Sequence, residues 1–175
     1  VTITTGSLEV KNGAQISAGT SAKGNAGSVN INATETVVLD GGDSEFFTGV
    51  ASQVEPGAEG NAGGVTITTG SLEVKNGAQI SAGTSAKGNA GSVNINATET
   101  VVLDGGDSEF FTGVASQVEP GAEGNAGGVT ITTGSLEVKN GAQISAGTSA
   151  KGNAGSVNIN ATETVVLDGG DSEFF

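Results

Sequence analysis

Three carboxylates, Asp40, Asp43 and Glu45, fall within six residues of one another. Calcium takes its ligands from oxygen, so this cluster is a candidate calcium site. Its spacing follows neither the EF-hand loop nor the Gly-rich nonapeptide of calcium-binding β-rolls, and solvated loop acids are the competing reading. Beside the acids stand Phe46 and Phe47, repeated as Phe110 and Phe111 and as Phe174 and Phe175, the only aromatic residues of the chain. An exposed Phe pair recurring at fixed intervals would form an adhesive stripe for lateral or end-to-end association. Alternatively, at least one ring of each pair folds back as a lid under its loop.

Catalysis is not expected. Cleavage of acidic polysaccharides needs Lys or Arg beside metal-bound carboxylates, or paired acids in an asymmetric groove. The chain has neither Arg nor His, and its repetition would copy any site several times. Its 19 acids against six Lys give a net charge of -13, which repels phosphate backbones and argues against nucleic acid as a partner. The longest apolar run is three residues, Val37 to Leu39, too short to span a bilayer. Cysteine is absent, which fits a secreted fibre as well as a cytosolic protein and leaves the compartment open.

These side chains must be positioned by a repeat. Residues 1–64 recur without change as residues 65–128, and again from 129 to 175. Within the unit, Gly-Asn-Ala-Gly begins at Gly24, Gly60, Gly88, Gly124 and Gly152, at spacings that alternate between 36 and 28 residues. Each spacing suits one turn of a β-solenoid, so residues 1–175 read as one all-β parallel β-helix segment of between five and six turns. The composition agrees: 31 Gly, two Pro, and β-branched residues in short period-two runs.

In the 28-residue turn the pattern predicts strands over Val65–Thr69, Ser71–Lys75 and residues 79–82, with Val65, Ile67, Leu72 and Val74 inward and Asn76-Gly77 as a turn. In the 36-residue turn Val37 and Leu39 align with Leu72 and Val74 if one residue is added before Thr36. The remaining extra residues are then placed at 43–49, as a loop on every second turn, before a third strand over 50–54. Three strands per turn, each pairing with its equivalent one level away, give three parallel sheets around a core of Val, Ile, Leu and Ala. Stacking brings Asn25, Asn61, Asn89, Asn125 and Asn153 into one column, expected to be an internal amide ladder. Glu73 and Lys75 face Val102 and Asp104 on the next turn, so like charges recur only every second level, ~9.6 Å apart. Outward Thr2 and Thr4 form a Thr-x-Thr pair of the kind ice-binding solenoids use, but Asn30-x-Asn32 interrupts the ladder on the next turn.

The segments Thr-Gly-Ser-Leu at 5–8, Asn-Gly-Ala-Gln-Ile-Ser at 12–17 and Gly-Asn-Ala-Gly-Ser-Val-Asn-Ile-Asn-Ala at 24–33 resemble the repeats of filamentous-haemagglutinin-type large exoproteins, especially those of cyanobacteria. That resemblance implies a right-handed parallel β-helix, export by two-partner secretion, and a role in adhesion, aggregation or surface fibres. The amino-terminal secretion domain that defines the family is not in this sequence. The expected function is therefore a structural segment of an extracellular or cell-surface fibre. Its expected partners are further copies of itself, by axial continuation or lateral bundling, and cell-surface or glycan targets. A polymerising subunit is the variant in which uncapped ends are covered by another copy.

Overall fold

The computed structural model describes residues 1–170, so Phe174 and Phe175 lie outside the described residues. The first turn contributes β1 (Thr2–Thr5), β2 (Leu8–Lys11) and β3 (Gln15–Ser17). The second adds β4 (Val29–Ala33), β5 (Thr36–Asp40) and β6 (Thr48–Ala51), and the third β7 (Val65–Thr69), β8 (Ser71–Lys75) and β9 (Ala78–Ser81). Then come β10 (Val93–Ala97), β11 (Thr100–Asp104) and β12 (Gly113–Ala115), followed by β13 (Val129–Thr133), β14 (Ser135–Lys139) and β15 (Gln143–Ser145). A sixth turn begins with β16 (Val157–Ala161) and β17 (Val165–Asp168). All first strands form one six-stranded sheet, all second strands another, and the third strands a sheet of five. Every pairing is parallel and joins consecutive turns, which makes the fold a parallel β-helix with three strands per turn.

Period-two patterning accounts for the strands. In β4 and β10 buried Val, Ile and Ala alternate with exposed Asn, as a pleated strand with one face on the core requires. The second-strand sheet carries an additional order. Leu8, Val37, Leu72, Val101, Leu136 and Val165 form one inward column, and Val10, Leu39, Val74, Leu103, Val138 and Leu167 the other. Each level thus holds one Leu and one Val, and the larger side chain changes column from level to level. This sheet therefore contributes the same side-chain volume to the core at every level and avoids stacking Leu directly on Leu, which suits dense packing. Each fully buried Leu or Val contributes on the order of 1.5–3 kcal/mol.

The 36-residue turn differs from the expectation in where its extra residues go. Pairing offsets between the second and third turns fall from 36 at Val29↔Val65 to 35 at Val37↔Leu72, 30 at Val50↔Ile80 and 28 at Glu59↔Lys87. One extra residue therefore sits before Thr36, five lie between Asp40 and Thr48, and two lie near Pro56. Thr48 and Gly49 belong to β6 rather than to the loop. Thr48 pairs with Ala78 of the next turn, and its buried Oγ1 accepts the Gly13 N–H at 2.7 Å, so the residue lies against the solenoid and not in the projecting loop. The third strand of the 28-residue turn likewise begins one residue earlier than the pattern implied, at Ala78, opposite Thr48.

Corners differ between turn types. Asn76 and Gly77 turn with φ of 51° and 79°, in the left-handed region these two residues tolerate. At the corner between the first-strand and third-strand sheets, the 28-residue turns close on the backbone, with Gly27 N–H donating to Ala18 O and Gly91 N–H to Ala82 O, both at 2.8 Å. In the 36-residue turns a serine does this work. Ser116 Oγ, fully buried, donates to Gly91 O at 2.7 Å and accepts the Gly127 N–H at 2.9 Å. Ser52 bridges Gly27 and Gly63 in the same way.

Two substitutions test these packing constraints by circular dichroism during thermal and urea unfolding. Gly70 and Gly6 sit in identical Thr-Thr-Gly-Ser-Leu segments. A Cβ at Gly70 would collide with the Glu35 carbonyl oxygen of the preceding turn, whereas at Gly6 nothing lies within 4 Å. Gly70→Ala is expected to cost about 1–3 kcal/mol and Gly6→Ala no more than about 0.5 kcal/mol. Ser116→Ala leaves the Gly127 N–H without its acceptor and is expected to cost about 1–3 kcal/mol.

Candidate functional site

The chemistry is spread over columns that run along the helix axis. One column of the second-strand sheet reads Lys11, Asp40, Lys75, Asp104, Lys139, Asp168. A second, at the corner leading into Gly-Asn-Ala-Gly, reads Lys23, Glu59, Lys87, Glu123, Lys151. Opposite charges alternate in both, because every cation of a 28-residue turn meets an acid of the 36-residue turn. Lys139 Nζ lies 3.6 Å from Asp104 Oδ2, and Lys23 Nζ lies 3.1 Å from Glu59 Oε2.

This placement separates the three candidate calcium ligands. Asp40 ends β5 and its carboxylate is engaged axially, with Oδ1 accepting the Asn76 Nδ2–H at 2.9 Å and the Gly42 N–H at 3.1 Å. Asp43 and Glu45 have turned away through Gly41 and Gly42 and are exposed. They border a hollow of about 400 Å³ with Asn12, Ser44 and Phe46. Among the described residues no three carboxylates come together as a ligand set for a metal ion.

The two Phe residues of the loop part company. Phe46 is 76% exposed and Phe110 53%, while Phe47 and Phe111 are half-buried. Ser44 Oγ shapes the loop by accepting the Phe46 N–H at 3.1 Å. The outward rings recur at the same corner every second level.

The Asn column forms, but on the outside. Asn25, Asn61, Asn89, Asn125 and Asn153 are all exposed. The Oδ1 atoms of Asn25, Asn61, Asn89 and Asn125 each accept the backbone N–H of the next Asn at 2.8–2.9 Å. Amide-to-amide bonds occur only between Asn125 and Asn89 at 3.3 Å and between Asn153 and Asn125 at 3.1 Å. The ladder is external because Gly24, Gly60, Gly88, Gly124 and Gly152 take φ of 141–155° or pack directly on the level below, which turns the following residue outward.

The outward face of the first-strand sheet has a different character. Thr2 and Thr4 lie over Asn30 and Asn32, these over Thr66 and Thr68, and the alternation continues to Asn158 and Asn160. All are exposed except Thr66 and Thr130, which are half-buried. None of the six strands contains a charged residue.

Electrostatics within the Lys/Asp column set a pH dependence. Partial burial pushes the Asp104 carboxyl up, but the Asn140 amide at 2.8 Å, the Gly106 N–H at 3.0 Å and the Lys139 ammonium together hold it below the ordinary carboxylate range. Lys75 is raised, first by its hydrogen bond to Glu73 at 3.0 Å, against a smaller opposing effect of burial. A carboxylate lowered by folding stabilises fully above its unfolded pKa, about 3.9, and that contribution disappears as pH falls through the folded value. A raised Lys behaves in the opposite sense, stabilising below about 10.4 and losing that contribution as pH rises further. Asp104→Asn is therefore expected to melt below the wild type at neutral pH, with the gap closing as pH falls toward about 2. Thermal melts across that range check it, and a gap independent of pH would be the contrary result.

Sequence patterning did not single out Thr48, Ser52, Thr112 or Ser116, which are buried polar residues. A signal existed: Ser52 and Ser116 follow the paired Ala51 and Ala115, where the 28-residue turn has Ala82 after Ser81. Comparison with protein-family models, curated proteins and solved structures finds no match to this chain.

Proposed function

We propose that this chain is a structural segment of an extracellular surface fibre or adhesin, a stiff solenoid that spans distance and carries one loop on every second level. The observation that supports the reading most directly is the unbroken parallel pairing of all three strand columns from turn to turn. Such a body resists bending, because each level is hydrogen-bonded to its neighbours along three separate sheets. It also repeats every surface feature at a fixed interval, which suits multivalent attachment better than catalysis. The resemblance of its repeats to filamentous-haemagglutinin-type exoproteins supports the extracellular setting. Self-interaction belongs to the same reading, by continuation along the axis and by contact between outward Phe46 and Phe110 rings of neighbouring fibres.

Two measurements test it together. Arrays with increasing numbers of the 64-residue unit should lengthen in small-angle X-ray scattering by ~9.6 Å per unit at constant cross-section. Antibodies raised against the repeat should label intact cells of the source organism. A cross-section that grows with unit number would end the rod reading, and labelling only after permeabilisation would end the extracellular one.

A further inference from the structure

We infer that the outward face of the first-strand sheet is a docking surface for an extended, neutral, hydroxyl-rich polysaccharide. The face is a grid of Thr hydroxyls and Asn amides, two per level over six levels. Neighbours are ~4.8 Å apart along the axis and about 6.6 Å apart along a strand. Because Thr and Asn alternate, the chemical repeat along the axis is ~9.6 Å.

Two independent features set this face apart. The first is its lack of charge in a chain of net charge -13. Acids not matched by Lys in the axial columns, among them Glu35, Asp43, Glu45 and Glu55, lie at the corners and not on this sheet. A cationic partner would be drawn to those corners, and a polyanion would be repelled by them. The second is that its polar groups are not used by the protein. At the second-strand sheet, by contrast, half-buried Ser71 Oγ donates to Glu99 Oε2 at 2.9 Å and half-buried Asn76 Nδ2 to Asp40 Oδ1 at 2.9 Å, both between turns. On this face, among the described residues, the one side-chain bond is Asn158 Nδ2 to Ser156 Oγ at 3.3 Å. The other Thr and Asn side chains keep their donors and acceptors free.

A partner that matches free donors and acceptors without charge, at a constant interval, is a polymer of neutral sugars lying flat on the grid. The face has no aromatic ring on which a sugar could stack, so each sugar is held weakly and affinity comes from many units in register. An extended chain is therefore favoured over a free mono- or disaccharide. This deepens the fibre reading and rests on it only for the setting in which such polymers are met.

The test is co-sedimentation of the 175-residue chain with cellulose and with curdlan, two insoluble neutral β-glucans, and with alginate gel as a polyanionic control. Wild type should be retained by at least one glucan and not by alginate, unaffected by added salt or by free glucose and cellobiose. Thr68→Lys with Asn96→Lys, which puts charge at the centre of the grid, should weaken retention by roughly tenfold. Thr68→Val with Thr132→Val keeps the β-branched shape, removes two hydroxyls and should weaken it by about threefold. Glu73→Gln on the second-strand sheet should bind as wild type, and unchanged melting temperatures establish that all variants are folded. The inference is overturned if both glucans leave wild type in solution, if the grid variants bind equally well, or if alginate retains the chain as strongly. It is equally overturned if wild type inhibits ice recrystallisation without binding glucan, or forms a dimer that the Lys variant abolishes without glucan binding. Rods that lengthen as expected but ignore both glucans would remove this inference and leave the fibre reading intact.

Discussion

Parallel pairing between consecutive turns is the constraint on which everything else rests. It fixes each residue at ~4.8 Å from its equivalents on the levels above and below, so a side chain's nearest partners along the axis belong to its own column. Columns of identical charge would be repulsive at that distance. Alternating a 28-residue with a 36-residue turn resolves this, since Lys75 then meets Asp40 and Asp104 rather than another Lys. The same alternation sets Leu against Val in the core and Thr against Asn on the first-strand sheet. A two-turn unit is thus a physical solution to stacking, and the surface periodicity follows from it.

The longer turn accommodates its additional length without breaking any sheet. Its extra residues are divided among the three corners, and only the largest share, between Asp40 and Thr48, forms a projecting loop. Buried hydroxyls make this compatible with a dry core. Ser52 and Ser116 satisfy the corner backbone groups that the shorter turn pairs directly, Thr48 and Thr112 accept the Gly13 and Gly77 N–H groups of the neighbouring shorter turn, and among the described residues no buried side-chain nitrogen or oxygen lacks a partner. Since an unpaired buried polar group costs on the order of 1–3 kcal/mol, these few hydroxyls decide whether the longer turn can alternate with the shorter one.

Three surfaces of distinct character result. One sheet carries paired opposite charges, the corners collect the surplus acid and the outward Phe rings, and one sheet is uncharged with free hydrogen-bonding groups. A stiff body that repeats each surface at every second level presents any weak recognition element many times at fixed spacing, which is what the proposed attachment role would use.

Much of this was legible from residue order alone. Turn lengths, strand identity, the inward positions Val65, Ile67, Leu72 and Val74, and the pairing of Glu73 with Val102 all follow from periodicity, because a strand with one face on a core must alternate and a stacked repeat must pair with itself. The Asn column was also legible as a column, though not its outward position, which depends on backbone angles at the preceding Gly. What tertiary structure alone decided is where non-periodic residues go. The division of the insertion, the burial of Thr48 and Ser52, the engagement of Asp40 by Asn76, and the parting of Phe46 from Phe47 all depend on contacts with other turns or on how a corner closes. Periodicity sets which residues share a face. The close approach of backbone between turns determines how each corner satisfies its hydrogen bonds, and that cannot be read from any single turn.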